Sequence, residues 1–186
     1  MARWEPDAAG RLRAAALDLY VDQGYEQTTV AEIAERAGVT ARTFFRHYAD
    51  KREVLFAGSD VLVARMVEAT VTAPADATPL DALGRALDVA AEMFGDGHDH
   101  SSRRQRVLHD NPELLERELA KMAMLASALA GALEQRGVAP AAAEMVAEAA
   151  ITVFRVGFDR WATGPGTLSL QETLHEALAQ LRTVVG

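Results

Sequence analysis

Residues 28–51 form the stretch that most constrains how this chain can fold. Thr29 is followed three residues later by Glu32, a capping box in which two side chains satisfy N–H groups at a helix start. A helix is therefore predicted to begin near Val30. It is predicted to end at Gly38, because glycine readily adopts the left-handed conformation that follows a helix.

A second short helix is predicted over Ala41–His47, with Thr40 as its N-cap. Phe44 and Tyr48 lie four residues apart, so both are predicted to face inward. The outward face then carries a small residue, two cations and an aromatic ring: Ala41, Arg42, Phe45 and Arg46. Two short helices joined by a glycine-containing turn predict a helix-turn-helix, whose second helix enters the DNA major groove.

The charge distribution is compatible with a DNA partner despite a net charge of −8. Residues 1–52 contain eight basic and eight acidic residues, whereas residues 53–186 contain eleven basic and nineteen acidic residues. The acidity therefore belongs to the later part, and cations near the second helix can form a local phosphate-binding patch. Asp50 and Glu53 repeat the capping pattern, which places Lys51 in the first turn of a third helix, where a bound anion would explain a cation.

A longer motif surrounds these helices: G-Y-x-x-T-T-V-x-x-I-A-x-x-A-G-V-T-x-x-T-F-F-x-H-Y-x-x-K-x-x-V-L, from Gly24 to Leu55. It resembles the DNA-binding domain of the tetracycline-repressor (TetR) family. The chain departs from the family at Phe45, where Tyr is usual, so a phenol hydroxyl that typically reaches a DNA phosphate is absent. The resemblance also implies an all-α layout, a homodimer and a small-molecule site in the later part of the chain.

The resemblance implies roles for individual residues of the motif. Phosphate contacts are expected from four of them: Thr28, Thr40, His47 and Lys51. Thr43 is expected on a phosphate or a base edge, and Ala41 lies on the same face. Arg42 and Arg46 are the predicted base readers, because Arg pairs in bidentate fashion with guanine. Phe45 is expected to touch sugar or a thymine methyl group.

The remaining chain is predicted to be helical, with no convincing strand, which makes an all-α fold of about nine helices. Further helices are predicted over 11–23, 51–72, 80–94, 103–110, 112–136, 140–163 and 170–185, with a polar turn over 95–102. We predict a helix-turn-helix DNA-binding domain over residues 1–52. A helical ligand-binding and dimerisation domain is predicted over residues 53–186.

Composition and motifs argue against several other classes. The chain has no cysteine, so it can form neither disulfides nor thiolate metal sites. Its first ten residues lack an apolar run, and its Ala-rich segments are interrupted by charges, so we expect a soluble, cytoplasmic chain without a membrane partner. No G-x-S-x-G, H-E-x-x-H or phosphate-cradling glycine loop is present, so we expect neither an enzyme nor a bound cofactor.

The later helices contain more large flexible and aromatic side chains than a tight Leu/Ala core needs. The predicted effector site comprises Met93, Phe94, Leu115, Leu119, Met122, Phe154, Phe158 and Trp161. The alternative is that these side chains simply fill the core, in which case the chain is a ligand-independent or architectural DNA binder. His98 and His100, with nearby Asp96 and Asp99, suggest a metal clip only weakly, because such turn residues are usually solvated.

A single helix-turn-helix makes few specific contacts, and symmetric dimers bind half-sites spaced by a helical turn. Two apolar segments, 141–161 and 170–185, can form a four-helix interface between two copies. We therefore predict a homodimeric regulator that binds a palindromic double-stranded operator and is a repressor released by a small-molecule effector.

Overall fold

A computed structural model of the chain describes residues 7–185, apart from the side chain of Val185. These residues form nine α-helices and no strand, which confirms the predicted all-α fold. The helices are α1 (Ala8–Gln23), α2 (Val30–Arg36), α3 (Ala41–His47), α4 (Ser59–Val71), α5 (Pro79–Phe94), α6 (His98–His109), α7 (Pro112–Gln135), α8 (Pro140–Thr163) and α9 (Leu170–Val185), with a short 3-10 helix at Glu53–Phe56. Across this range no helix combines the length and the apolar character that crossing a membrane requires.

The chain divides into two compact units. The first comprises residues 1–57 together with residues 106–115, and the second comprises residues 58–105 and 116–186. The boundary predicted at 52/53 therefore lies inside the first unit. The contribution of residues 106–115 was not predicted from sequence.

The first unit is built on one hydrophobic core. Leu12 on α1, Ile33 on α2 and Phe44 on α3 are each 0% exposed and belong to this core. The distant segment adds three buried side chains: Val107, Leu108 and Leu114. Burying this apolar surface is the main favourable contribution to folding of the unit.

Local caps fix where the short helices begin, as predicted. The Thr29 amide donates to Glu32 Oε2 at 2.7 Å, and the Glu32 amide donates to Thr29 Oγ1 at 3.3 Å, which completes the capping box. Hydrogen bonds from the Thr29 hydroxyl and backbone also lower the pKa of Glu32. The Thr43 amide donates to Thr40 Oγ1 at 3.2 Å, which confirms Thr40 as the N-cap of α3.

Two predicted boundaries are wrong. The helix expected over 51–72 is broken: the 3-10 helix ends at Phe56, and α4 starts only after Gly58, whose φ of 89° lies in the left-handed region. The polar turn expected over 95–102 is shorter than predicted, because α6 already begins at His98. There Ser101 is buried, and the His98 ring packs on Trp161, 63 residues away, a contact that sequence periodicity does not show.

The second unit surrounds a core to which α4, α5, α7, α8 and α9 contribute. Helix α5 packs against α4, α8 and α9, and α8 packs against α9. The Arg136 guanidinium, just past the end of α7, donates to the carbonyl oxygens of Val71, Ala73 and Pro74, so it satisfies acceptors where α4 ends.

Helices α8 and α9 approach closely at Gly157, and this contact gives a testable prediction. A Cβ at Gly157 would lie 2.7 Å from Leu174 Cδ2 and 3.3 Å from Leu174 Cα. Gly157→Ala should therefore destabilise the protein by roughly 1–2 kcal/mol through overpacking. Gly131→Ala on α7 is the matched control: nothing lies within 4 Å of its Cβ, so the higher helix propensity of alanine should stabilise by roughly 0.5–1 kcal/mol. Urea unfolding of both variants measures these changes, and equal effects would refute the close approach.

Candidate functional site

The second helix of the helix-turn-helix, α3, is held from behind by aromatic side chains. Phe44 is 0% exposed and its ring packs on Tyr48 at a centroid distance of 5.7 Å. The Tyr48 hydroxyl donates to the Ala9 carbonyl oxygen on α1 at 3.2 Å. These contacts fix which face of α3 points into the unit and therefore which face points outward.

The outward face of α3 carries the side chains predicted to read DNA. Arg42, Arg46 and His47 are exposed, and Phe45 is 58% exposed although it is aromatic. The Phe45 ring meets the buried Phe44 ring edge to face at a centroid distance of 5.5 Å, and this contact stabilises the orientation of the exposed ring. Two guanidinium groups beside a supported, exposed ring can pair with phosphates and bases.

At the start of α3, two hydroxyl groups lie together. The Oγ1 atoms of Thr40 and Thr43 are 3.1 Å apart, within hydrogen-bond distance. Thr40 is exposed and Thr43 is half-buried, and Ala41 beside them is exposed. All three therefore lie at the edge of the outward face, as the motif predicts, and their DNA contacts remain predictions.

The structure does not support a direct phosphate contact by Thr28. This side chain is 1% exposed, and its hydroxyl donates to the Gly24 carbonyl oxygen at 2.8 Å. A buried hydroxyl that already donates a hydrogen bond cannot reach a phosphate from this conformation. Its observed role is to stabilise the turn between α1 and α2.

Lys51 also lies differently from the prediction. Its Nζ atom donates to the carbonyl oxygens of Tyr25, Glu26 and Thr28 at 2.7, 3.3 and 3.0 Å. The same atom lies 4.2 Å from the centroid of the Tyr25 ring, a cation–π contact. No sequence pattern indicated this arrangement, because the partners lie 23 to 26 residues away.

Tyr25 connects this cluster to the distant segment of the first unit. Burial raises the pKa of Tyr25, and a hydrogen bond with the Glu113 carboxylate raises it further. The Tyr25 ring also packs edge to face on Tyr20 at 5.2 Å. No sequence pattern pointed to Glu113, because its partner is 88 residues away and the contact depends on the tertiary fold.

Five of the predicted effector-site residues lie on the same hydrophobic core of the second unit: Phe94, Met122, Phe154, Phe158 and Trp161. The Phe158 ring lies 4.9 Å from Phe94 and 5.5 Å from Trp161. His98 extends the cluster, since its Nε2 lies 2.9 Å from the Trp161 carbonyl oxygen.

Three predicted effector-site residues are not brought into this cluster. Met93 and Leu119 are 38% and 44% exposed, and Leu115 belongs to the first unit and is 39% exposed. A surface cleft of about 450 Å³ lies elsewhere, between α5 and α9. It contains none of the predicted residues and is lined by Asp81, Gly84, Arg85, Asp88, His175, Leu178, Ala179 and Arg182.

The chain matches two sequence families. Residues 12–57 match the family described as "Bacterial regulatory proteins, tetR family", and residues 77–186 match the "MftR C-terminal domain". The second match alone spans more than half of the chain.

Curated relatives match part of the chain. The HTH-type transcriptional regulator TcmR of Streptomyces glaucescens is 40% identical over 82 residues, which are 44% of this chain and 36% of TcmR. The HTH-type transcriptional activator FasR of Mycolicibacterium smegmatis is 32% identical over 120 residues, 63% of this chain and 52% of FasR. The matched region thus spans about a third to a half of these relatives.

Solved structures share the fold across nearly the whole chain. A TetR-family regulator from Syntrophomonas wolfei has a TM-score of 0.69 at 16% identity and covers 97% of this chain and 96% of its own. Thermus thermophilus FadR, a TetR-family repressor in complex with lauroyl-CoA, has a TM-score of 0.57 at 24% identity, with coverages of 96% and 95%. The matched proteins are named as transcriptional regulators and not as enzymes, which agrees with the expectation from the sequence. The chain therefore belongs to the TetR family of DNA-binding transcriptional regulators.

Proposed function

We propose that this regulator binds a palindromic operator as a homodimer, with Arg42, Phe45 and Arg46 of α3 in the major groove, and that a small-molecule effector releases it. The observation that carries the proposal is the outward face of α3, where two guanidinium groups flank a ring that is 58% exposed. Such an arrangement serves direct base readout, since Arg pairs with guanine and a ring can contact the thymine methyl group.

The outward face of α8 supports the homodimer. It carries small or apolar side chains at alternating spacings of three and four residues: Ala142, Met145, Ala149, Thr152 and Val156. Met145 is 73% exposed and Val156 is 41% exposed, although both are apolar. This spacing is typical of the contact between packed helices, so we propose that a second copy of the chain packs against this face of α8.

The aromatic cluster of the second unit supports an apolar effector. Phe94, Phe154 and Phe158 lie within 6.4 Å of one another by ring centroid. Two proteins of the same fold have been solved as complexes with acyl thioesters. They are Thermus thermophilus FadR with lauroyl-CoA and Bacillus subtilis FadR with stearoyl-CoA, the latter with a TM-score of 0.61 at 18% identity. We propose long-chain acyl thioesters as the effector class, against the alternative of a ligand-independent binder.

The test begins with a duplex selected from a random library by the purified protein. Sedimentation should give a dimer, alone and on the selected duplex. Acyl-CoAs of increasing chain length should raise the melting temperature and weaken binding to the duplex, while CoA without an acyl chain should do neither. Thermodynamic linkage requires the DNA to weaken acyl-CoA binding by the same factor. Met122 packs on the core that contains the aromatic cluster, so the larger side chain of Met122→Trp should fill the proposed effector site. If every acyl-CoA binds wild type, the Met122→Trp variant and the DNA complex with equal affinity, the effector site is refuted.

FasR gives a specific reason to consider activation as a second candidate, since it is named a transcriptional activator. Repression and activation differ in where the operator lies relative to a promoter. Transcription in vitro from templates carrying the selected duplex within or upstream of a promoter decides between them.

Phe45 offers a prediction about affinity without a change in sequence preference. Phe45→Tyr should supply the phenol hydroxyl that the family usually directs to a phosphate, and a hydrogen bond of this kind is worth up to about 1.5 kcal/mol. Titration of the selected duplex should show tighter binding and the same ranking of base substitutions. Weaker binding would mean that the ring occupies an apolar contact that excludes a hydroxyl.

A further inference from the structure

We propose that Lys51 is a positioning residue of the DNA-reading unit: its ammonium group holds the turn between α1 and α2, and it does not bind a phosphate. The inference rests on the DNA binding of the proposed function. It assigns to Lys51 a role different from the one that the sequence motif implies.

Lys51 has no N–H donor left over for a phosphate. An ammonium group has three N–H donors and no acceptor, and Lys51 directs them to three carbonyl oxygens of the turn at 2.7, 3.0 and 3.3 Å. The face of the Tyr25 ring lies 4.2 Å from the same nitrogen. A phosphate could accept a hydrogen bond from Lys51 only if one of these carbonyl oxygens lost its donor.

The carbonyl groups that accept from Lys51 lie just before the start of α2. They belong to Tyr25, Glu26 and Thr28, immediately before Thr29, which caps the start of α2. Helix α2 packs in turn against α3. Holding the turn therefore fixes where α2 begins, and with it the support of the helix that faces DNA.

The backbone of Lys51 is also held by a hydrogen bond. The Tyr20 hydroxyl on α1 donates to the Lys51 carbonyl oxygen at 2.6 Å. Lys51 thus joins three parts of the unit: α1 through its carbonyl oxygen, the turn through its side chain, and the end of α3 through the chain itself. One residue closes the three-helix arrangement.

The neighbouring Arg52 provides a matched control. It is exposed, and its guanidinium donates to the Asp50 carboxylate at 2.8 Å. Burial alone would raise the pKa of Asp50, but hydrogen bonds from Arg52 and the Glu53 amide lower it. Arg52→Met removes the same formal charge as Lys51→Met at the next position, but the hydrogen bonds that it removes go to Asp50 and not to the turn.

The experiment compares wild type with Lys51→Met, Lys51→Gln and Arg52→Met. Binding to the selected duplex and to a random-sequence duplex of equal length is titrated at several KCl concentrations, below the melting temperature of every variant. Hydrogen exchange of amides 25–29 is measured without DNA, so that the stabilisation of the turn by Lys51 is tested separately from DNA binding. The Thr28 amide, which donates to the Tyr25 carbonyl oxygen at 3.2 Å, reports on the turn directly.

For Lys51→Met we expect at least tenfold faster exchange in the turn and at least tenfold weaker binding to the selected duplex. Binding to the random duplex should fall no more than for Arg52→Met, and the slope of log K against log[salt] should match that of Arg52→Met. Lys51→Gln keeps two N–H donors without the charge, so its losses should be intermediate. Lys51→Gln also provides the comparison with Arg52→Met if Lys51→Met does not fold.

Other results would overturn the inference. A phosphate ligand would give equal losses on both duplexes and reduce the salt slope by about 0.9 relative to Arg52→Met. A purely structural role would lower the melting temperature and leave affinity unchanged. Unchanged hydrogen exchange in the turn would refute the role of Lys51 in holding it, whatever the DNA-binding result. Failure of wild type to select any duplex would instead refute the proposed function.

Discussion

Phe44→Ala is expected to destabilise the first unit by about 3–5 kcal/mol, because it removes a ring that is 0% exposed from the centre of the core. Phe44 is the buried anchor of α3, so the cavity lies directly behind the face that reads DNA. For a domain of ordinary marginal stability, a loss of this size removes a large part of the folding free energy. Urea unfolding followed by circular dichroism measures the change, and DNA affinity should disappear together with the folded unit.

The next residue provides the control. Phe45→Ala makes the same chemical change at a ring that is 58% exposed, so stability should remain within about 0.5 kcal/mol of wild type. Affinity for the selected duplex should nevertheless fall, since the ring is proposed to touch the DNA. Two variants with equal loss of stability would contradict the orientation of α3.

Arg42→Ala and Arg46→Ala should each cost about 1–3 kcal/mol of binding to the selected duplex, roughly a fivefold to 150-fold loss. Both side chains are exposed on the outward face of α3. Because a bidentate pair with guanine carries sequence information, each variant should also relax the preference at one base position in each half-site. Repeating the duplex selection with each variant measures this directly.

Arg65 on α4 is the control for loss of charge alone. It is exposed and lies in the second unit. Arg65→Ala should weaken binding little and leave the selected sequence unchanged. If Arg42→Ala lowers affinity for selected and random duplexes by the same factor, Arg42 contacts the backbone rather than a base.

The short helices could be predicted because their signals are local. The Thr29–Glu32 capping box and the Thr40 cap depend on residues three apart, and both form as predicted. The inward and outward faces of α3 follow from helical periodicity, and Phe44 and Phe45 are buried and exposed accordingly.

The features that sequence patterns did not indicate are a break at one glycine and several contacts between distant residues. Helical periodicity continued through Gly58, but the chain adopts a left-handed conformation there and restarts as α4. The Asp50–Glu53 capping pattern placed Lys51 at a helix start and suggested a bound anion there, yet its ammonium group donates to carbonyl oxygens more than twenty residues earlier. Residue types also did not distinguish the buried cluster around Phe158 from the exposed Met93 and Leu119, since both sets are apolar.

The segment 106–115 has a consequence for how regulators of this kind can be recombined. Its Val107, Leu108 and Leu114 are buried in the same core as Leu12 and Phe44, although 63 to 102 residues separate them along the chain. A gene fusion that transfers only residues 1–57 to another protein would leave part of that core without its partners. The exchangeable cassette is therefore discontinuous, and a chimera that keeps the DNA preference of this chain needs both pieces or a recipient whose own segment fills the same space.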